Sequence, residues 1–338
     1  MIHYCTYFDA NYLTRAVALY RSLRRHSPAF TLWALCLDDE AWQALEALAL
    51  DGVRAVPLAE LEAADPELLA VKGTRSTVEY YFTCSPSLPR HLLRSHPDIG
   101  LVTYLDADLL FYASPQSIFE ALGDGSVLIV PHRFPPEIRE LEAYGVYNVG
   151  LLTFRDDESG RAILDHWREQ CLEWCFDRID GDRFADQKYL DAWPGQPGVV
   201  VLEDPGAGLA PWNAMAHAVD VTADPATVDG RPLVFYHFQG VRQVGPALWD
   251  TRSDVYGVID PAVRAWLYLG YVRELQAAAA LVRSKVRLGS RHGHNRRLPG
   301  LHPREVFGRV RAGQVVMSPG RPGIPGLSAL RRWRAARP

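Results

Sequence analysis

The first hundred residues alternate short runs of β-branched and aromatic residues with segments whose apolar positions recur at helical spacing. These patterns predict strands at 2–8, 31–37 and 53–58 and amphipathic helices at 12–26 and 41–50. A chain that alternates strands and helices forms a mostly parallel sheet with helices on both faces. The predicted fold class is therefore α/β, an architecture that often binds nucleotides.

The alternation of strand and helix patterns continues to about residue 285. A helical pattern covers 76–95, where Pro86 and Pro89 predict an interruption. Further strands are predicted at 99–108, 126–132, 146–155, 199–203 and 233–238, and further helices at 157–176 and 186–193. The later sequence is low in complexity and does not predict a second stable core. We predict a catalytic domain over 1–260, a helical segment over 261–288 and a basic Pro-, Gly- and Arg-rich tail over 289–338.

The formal net charge of -4 hides a strong asymmetry along the chain. From Leu281 onward, 14 Lys and Arg residues face the single acid Glu305, a net charge of +13, so the preceding part carries -17. A basic tail on an acidic body is typical of attraction to an anionic surface such as a membrane leaflet or nucleic acid. An Arg-rich solvated extension is the alternative. We do not expect nucleic acid as a partner.

The N-terminus, MIHYCTYFDANYL, lacks the basic and apolar segments of a signal peptide. No uncharged apolar run approaches the ~20 residues that a membrane-spanning helix needs. We therefore expect a cytoplasmic protein that contacts the inner membrane face through its basic tail. The five cysteines fit a reducing compartment. Cys171 and Cys175 lie one helical turn apart without a second pair, so we interpret them as core residues and not as a metal or redox pair.

The segment LVTYLDADLLFY places Asp106 and Asp108 two residues apart where an apolar strand ends. In an extended chain, residues i and i+2 point to the same face, so the two carboxylates converge. Two like charges repel, whereas a divalent cation between them removes the repulsion and serves as a counterion for a diphosphate. Oxygen ligands of this kind suit Mg²⁺ or Mn²⁺. An acidic surface turn is the alternative, but the buried strand before the motif favours a metal site.

Five motifs follow one another along the chain: CTYFDANYLTRAVALYRSLRRH, YLDADLLFYASP, YNVGLLTFR, FADQKYL and YHFQG. Their order resembles the nucleotide-sugar transferases of the GT-A fold, in particular the retaining family that includes glycogenin and bacterial lipopolysaccharide galactosyltransferases. The resemblance covers roughly residues 2–249 and implies a mostly parallel, mixed sheet flanked by helices.

The resemblance implies a role for individual residues at the nucleotide and metal end of the site. The residues expected to bind the nucleotide diphosphate are Thr6, Asp9, Tyr12, Arg75, Asp106 and Gly240. His237 is expected to be the third protein ligand of the metal, beside Asp106 and Asp108. Arg75 enters because related transferases carry a basic residue near the diphosphate, where a planar guanidinium can pair with two phosphate oxygens; Lys72 is a weaker candidate.

At the sugar end, the resemblance implies catalytic positions at Asp186, Gln187 and Asn148, without a covalent nucleophile. The residues expected beside the donor sugar or the acceptor are Gly150, Trp212 and Asn213. A core position for Trp212 is the alternative to stacking on a sugar ring. We assign His166 and His217 to structure.

Three departures from the family pattern stand out. The family usually has Lys-Pro-Trp after the His-x-x-Gly element, whereas here a Trp comes only at Trp249, and Arg242 is the candidate to replace the missing lysine at the phosphates. His132 and Arg133 occur where the family more often has small residues and an Asp. Lys188 follows Gln187 in place of a second Asp.

The metal motif together with the resemblance implies a metal-dependent hexosyltransferase that retains the anomeric configuration. It would use Mn²⁺ or Mg²⁺, take a nucleotide-sugar donor such as a UDP-sugar, and transfer to a glycan or glycolipid of the kind used in polysaccharide biosynthesis. Two alternatives remain open. One is a Mg²⁺-dependent phosphatase of the haloacid-dehalogenase type, which also uses Asp-x-Asp after a strand. The other is a non-catalytic nucleotide-sugar binding protein.

Overall fold

The computed structural model describes residues 1–27, 29–245, 247–287 and 303–317. The strands are β1 (Ile2–Phe8), β2 (Phe30–Cys36), β3 (Val53–Pro57), β4 (Leu101–Leu105), β5 (Leu109–Phe111), β6 (Val127–Pro131), β7 (Tyr147–Arg155), β8 (Val199–Val201), β9 (Ala207–Leu209), β10 (Val219–Asp220), β11 (Thr227–Val228), β12 (Arg231–Pro232), β13 (Phe235–His237), β14 (Arg242–Gly245), β15 (Leu248–Asp250) and β16 (Val315–Met317). The α-helices are α1 (Leu13–His26), α2 (Asp39–Leu48), α3 (Leu58–Ala64), α4 (Pro66–Val71), α5 (Thr77–Ser95), α6 (Gln116–Leu122), α7 (Glu158–Glu173), α8 (Pro261–Lys285) and α9 (Pro303–Arg311).

Among these residues, the main sheet has seven strands in the order β3-β2-β1-β4-β7-β6-β8. The first four strands in this order run parallel, and β7 is antiparallel to both β4 and β6. The apolar positions of α1, α2 and α8 form one core cluster, and those of α5 and α7 contribute to another. The predicted α/β class with a mostly parallel, mixed sheet between helices is therefore confirmed.

Helix α5 is continuous, so the predicted interruption at Pro86 and Pro89 is wrong. Both prolines are buried inside the helix, and Ser76 and Glu79 close its N-terminus as a capping box. Burial of the apolar face of α5 outweighs the hydrogen bonds that the prolines cannot donate, because tertiary packing supplies most of the stability of a helix in a folded protein.

The predicted strand over 99–108 ends earlier than the sequence pattern indicated. Strand β4 stops at Leu105, and the main-chain N–H of Leu109 donates to the Asp106 carbonyl at 3.2 Å, which closes a turn. Asp106 and Asp108 therefore converge through a turn and not through the alternation of an extended strand. The reason is that the chain leaves the main sheet at this point and enters β5, which pairs antiparallel with β13.

The helical segment predicted at 261–288 is α8, whose buried positions share a core cluster with those of α1 and α2. Most of the predicted basic tail, 289–302 and 318–338, lies outside the described residues. The part at 303–317 is folded onto the body: β16 pairs antiparallel with β15, and Val316 contributes to the core. Within the part of the chain that the structure describes, no helix has both the length and the hydrophobicity required to cross a bilayer.

Candidate active site

Asp106, Asp108 and His237 form a compact group, here called the Asp-Asp-His cluster, where β4 ends at the edge of the main sheet. One ligand atom from each side chain lies within 4.8 Å of the other two. His237 Nε2 is 3.1 Å from Asp108 Oδ1 and 3.6 Å from Asp106 Oδ2. The antiparallel pairing of His237 with Leu109 brings the histidine to the carboxylates. The structure thus brings together all three residues predicted as metal ligands.

The electrostatics of the cluster reflect burial and mutual attraction. Burial raises the pKa of Asp106, and the neighbouring Asp108 charge raises it further. Burial acts in the same direction on Asp108, but His237 and Arg15 outweigh it and hold the pKa of Asp108 below its usual value. Burial alone would lower the pKa of His237, but the two carboxylates raise it. The negative charge concentrated here therefore favours a cation.

Gly150 leaves the space that the cluster needs. A Cβ at this position would lie 3.0 Å from the His237 ring and 2.4 Å from Asn148 Oδ1. The Gly150 carbonyl accepts from Asp106 N–H at 2.9 Å, which joins β7 to the turn that carries the acids. Two oxygens and one imidazole nitrogen around such a space fit a divalent cation of the Mg²⁺ or Mn²⁺ type.

Asn148 and Gln187 lie side by side next to the Asp-Asp-His cluster. Asn148 Nδ2 is 3.4 Å from Gln187 Oε1, and Asn148 Oδ1 accepts from Gly150 N–H at 2.8 Å. Gln187 Nε2 donates to the Tyr144 carbonyl at 3.0 Å. The orientation of both amides is thus determined, because a main-chain N–H can only donate and a main-chain carbonyl can only accept.

Asp186 is a buried carboxyl at the same end of the site. Its side chain is hydrogen-bonded to Ser85, whose Oγ is also 3.3 Å from the Tyr7 hydroxyl. Burial raises the pKa of Asp186 to about 7, with a smaller contribution from the charge of Asp106. Its main-chain carbonyl accepts from Trp167 Nε1 at 2.8 Å. The carboxyl therefore titrates near neutral pH.

The predicted nucleotide-binding residues of the first motif lie on β1 and in the turn that joins it to α1. Thr6 is fully buried, and its hydroxyl has no hydrogen-bond partner within the described residues. Asp9 Oδ1 accepts from the main-chain N–H groups of Asn11 and Tyr12, at 3.0 and 3.2 Å. Tyr12 is 41 % exposed, and the guanidinium of the buried Arg15 lies 4.3 Å from the centre of its ring. Tyr12 thus offers an aromatic surface to a ligand.

Gly240 lies in the turn after His237, and Arg242 is the first residue of β14. Gly240 has a φ of +79°, which favours glycine. Arg242 Nη2 is 3.0 Å from Asp250 Oδ2, and the opposite oxygen of Asp250 is 2.7 Å from Arg309 Nη2. Asp250 is fully buried and holds the guanidinium of Arg242, the candidate replacement for the missing lysine at the phosphates.

Arg75 lies two residues before α5 and contacts the end of α7. Its Nη2 donates to the Leu172 carbonyl at 3.0 Å, and its guanidinium lies 4.1 Å from the centre of the Phe176 ring. Lys72 forms an ion pair with Glu62 at 2.6 Å. These contacts link the segment before α5 to the end of α7, and the nucleotide-binding role of Arg75 stays a prediction.

Trp212 and Asn213 are both buried, which corrects part of the predicted acceptor side. Asn213 is fully enclosed, and its amide bonds only main-chain groups, the carbonyls of His132 and Gly208 and the N–H of Ala210. It fixes the loop and cannot reach an acceptor. Trp212 packs edge-on against His237 with ring centres 5.2 Å apart. The indole therefore packs against the imidazole of the Asp-Asp-His cluster.

Sequence reasoning missed three residues near the cluster. Arg15 donates to the Val241 carbonyl, and its charge interacts with Asp108; a basic residue three positions after Tyr12 on a buried helix face was the available signal. The Tyr104 hydroxyl donates to Asp106 Oδ1 at 2.8 Å, consistent with its position two residues before Asp106. His132 Nε2 lies 3.2 Å from Asn148 Nδ2, although the sequence marked it only as a departure.

No known protein-family model matches the sequence. The chain is 36 % identical over 250 residues to the uncharacterized protein YfnF of Bacillus subtilis strain 168. The alignment covers 71 % of this chain and 82 % of YfnF. The chain is 29 % identical over 278 residues to the uncharacterized protein YfnD of the same organism, covering 81 % and 88 % of the two chains. The galactosyltransferase LgtC, solved in complex with donor and acceptor sugar analogs, superposes with a TM-score of 0.50 at 16 % identity, over 86 % of this chain and 98 % of LgtC. The chain thus belongs to the same protein family as YfnF and adopts the GT-A fold seen in LgtC.

Proposed function

We propose that this protein is a metal-dependent glycosyltransferase that moves a hexose-type sugar from UDP to a hydroxyl of a glycan or glycolipid acceptor, with retention of the anomeric configuration. The observation that carries the proposal is the Asp-Asp-His cluster at the edge of a GT-A sheet, with Asn148 and Gln187 beside it. In open α/β sheets, ligands bind at the carboxyl ends of the strands, where this cluster lies. The motif resemblance supports UDP and retention.

Asp106, Asp108 and His237 would hold a Mn²⁺ or Mg²⁺ ion. When bound, the ion acts as a Lewis acid that stabilises negative charge on a leaving nucleoside diphosphate. Tyr12 would pack against the nucleotide with its exposed face, and Thr6 and Asp9 would line the same end of the site. Gly240 lets the main chain approach the diphosphate, since it carries no side chain there.

At the sugar end, Asp186, Gln187 and Asn148 would orient the donor and the acceptor hydroxyl. Holding two reactants in a productive geometry contributes much of a transferase's rate enhancement. Lys188, which replaces the second Asp of the family motif, donates to the Glu142 carbonyl at 3.1 Å and pairs with Asp191 at 3.2 Å. Lys188 thus links the chain after Gln187 to the Pro136–Tyr144 segment. We assign no covalent nucleophile at this end of the site.

The phosphatase alternative fits the architecture poorly. In that class the Asp-x-Asp motif follows the strand that opens the core domain, whereas here it follows β4 of a GT-A sheet. A non-catalytic nucleotide-sugar binder shares every feature of the site, so catalysis is the property to test.

The decisive experiment measures hydrolysis of a panel of UDP-hexoses with Mn²⁺ and with EDTA, for the wild type, Asp108→Ala and the control Asp124→Ala. Asp124 is an exposed carboxylate in the turn before β6, so the control removes the same chemical group away from the site. We expect metal-dependent turnover that Asp108→Ala abolishes and Asp124→Ala preserves. Near wild-type turnover in Asp108→Ala contradicts the metal assignment. Donor binding without any turnover identifies a binding protein.

We further propose that the protein is cytoplasmic and that the basic tail over 289–338 contacts the anionic inner membrane face. The charge of +13 from Leu281 onward supports this interaction.

A further inference from the structure

His132 has a ring that packing holds on two sides. It follows β6 directly, is 5 % exposed, and its main-chain N–H donates to the Val146 carbonyl at 2.9 Å. The imidazole stacks on Phe134 with ring centres 4.7 Å apart and an interplanar angle of 10°, and it meets the Trp212 ring edge-on at 5.1 Å. Packing therefore fixes the plane of the imidazole ring.

The hydrogen bonds of Asn148 determine which role the imidazole plays. The Gly150 N–H can only donate, so the amide oxygen of Asn148 must lie on that side, at 2.8 Å. The amide nitrogen then faces His132 Nε2 at 3.2 Å, and an NH₂ group can only donate. His132 Nε2 is thus the acceptor, and the ring hydrogen lies on Nδ1. Burial, which lowers the pKa of His132 to about 3, keeps the ring neutral and able to accept.

Counting donors and acceptors shows which amide remains available to a substrate. The two amide hydrogens of Asn148 point to His132 and to Gln187 Oε1, so Asn148 has no donor left. Gln187 gives one Nε2 hydrogen to the Tyr144 carbonyl and keeps the other, together with a lone pair on Oε1. Gln187 is the amide that can still bind a sugar, and Asn148 holds it in place.

We propose that His132 is a positioning residue of the sugar end: by accepting from Asn148, it fixes the orientation of the Asn148 and Gln187 amides. This inference rests on the proposed transferase function, because it assigns His132 a role in that same site. It gives a physical meaning to one of the positions at which the chain departs from the family pattern.

The test compares His132→Phe with His132→Gln in hydrolysis of the UDP-hexose that the wild type turns over best. Phenylalanine keeps a ring between Phe134 and Trp212 but removes the acceptor, whereas glutamine places an amide oxygen near the position of Nε2. In His132→Phe the buried Asn148 amide loses an acceptor, so the orientation of the Asn148 and Gln187 amides is no longer fixed. We expect kcat to fall about tenfold or more in this variant. We expect His132→Gln to recover kcat to within about threefold of wild type, and KM for the donor and Kd for UDP with Mn²⁺ to change less than about threefold in both. Unchanged kcat in His132→Phe overturns the proposal.

A double-mutant cycle separates positioning from general support of the fold. If His132 acts through Asn148, His132→Phe lowers kcat in the wild type and has little further effect in Asn148→Ala. Effects that multiply independently contradict the proposal, as does a loss of UDP binding that parallels the loss of kcat.

The hydrogen-bond arrangement has a readout that needs no donor. In ¹⁵N-histidine-labelled protein, long-range ¹H–¹⁵N correlation spectra identify which ring nitrogen carries the hydrogen. We expect the neutral Nδ1–H form for His132, and a hydrogen on Nε2 overturns the assignment. If the wild type neither hydrolyses a UDP-hexose nor binds UDP with Mn²⁺, the proposed function fails, and the spectrum still decides whether His132 accepts from Asn148.

Discussion

His237 Nε2 lies 3.1 Å from Asp108 Oδ1, and the pairing of β13 with β5 holds the two residues together. Two strands outside the main sheet thus complete a group that begins at the end of β4. The arrangement has consequences for metal binding, packing, pH dependence and the C-terminal segment.

Replacing His237 with alanine should weaken Mn²⁺ binding. The variant loses one of three ligand atoms, and we expect the apparent affinity to fall by at least about tenfold. The measurement is the rise of Tm with Mn²⁺ concentration, since a ligand at 100 times its Kd adds about 2.7 kcal/mol to the free energy of unfolding. His166→Ala, which changes an exposed histidine on α7, is the control. Equal Mn²⁺ dependence in the two variants refutes the assignment of His237.

Gly150→Ala should disturb the metal site through a single methyl group. The added Cβ meets Asn148 Oδ1 at 2.4 Å and the His237 ring at 3.0 Å, so these side chains must move. We expect a loss of about 1–3 kcal/mol in the free energy of unfolding and weaker Mn²⁺ binding. Gly100→Ala is the matched control, because a Cβ there meets nothing within 4 Å. Denaturant unfolding and Mn²⁺ titration of both variants check this, and indistinguishable behaviour contradicts it.

Asp186→Asn should change how stability depends on pH. The folded protein keeps the Asp186 proton up to about pH 7, whereas the unfolded chain releases it near the ordinary value of 3.8. Between these values the folded state binds more protons, so this carboxyl makes the free energy of unfolding decrease as pH rises, by about 1.4 kcal/mol per unit at most. The uncharged amide removes that loss. With both proteins in EDTA, the Tm of the variant minus the Tm of the wild type should therefore increase as the pH is raised from about 5 to about 8.

The surface variant Asp124→Asn controls for general charge effects in the same buffers. A constant Tm difference between Asp186→Asn and wild type across this range means that Asp186 does not titrate near neutral pH.

Deleting 290–338 should destabilise the protein, whereas deleting only 318–338 should not. The longer deletion removes β16 and Arg309, which pairs with the fully buried Asp250 at 2.7 Å. Loss of a partner of a buried charge costs about 1–3 kcal/mol or more. Tm and denaturant midpoints of both deletions measure this. Equal stability of the two proteins contradicts a structural role for 303–317.

The same deletions test the proposed membrane contact. The shorter one removes Arg321 and the four arginines after Leu330 while keeping the folded segment. We expect it to reduce cosedimentation with acidic liposomes and to leave UDP-hexose hydrolysis intact. Liposome binding that is unchanged in both deletions refutes the contact.

Features that depend on the spacing of neighbouring residues can be predicted from the sequence alone. Alternating strand and helix patterns gave the α/β class, and an apolar run that ends in two acids marked the edge of the sheet at Asp106 and Asp108. The resemblance then identified His237, Asn148 and Gln187, which the structure brings to this edge. These inferences hold because side-chain periodicity and strand ends are properties of neighbouring residues.

Whether a polar side chain is available to a ligand depends on the tertiary structure. Arg75 and Arg242 have the charge expected near phosphates, but α7 and the buried Asp250 hold them. Asn213 has the chemistry of a sugar ligand and is enclosed by main-chain groups. Asp186 titrates near neutral pH only because the fold buries it. Burial and hydrogen-bond partners depend on residues far apart in the sequence, so no local pattern contains them.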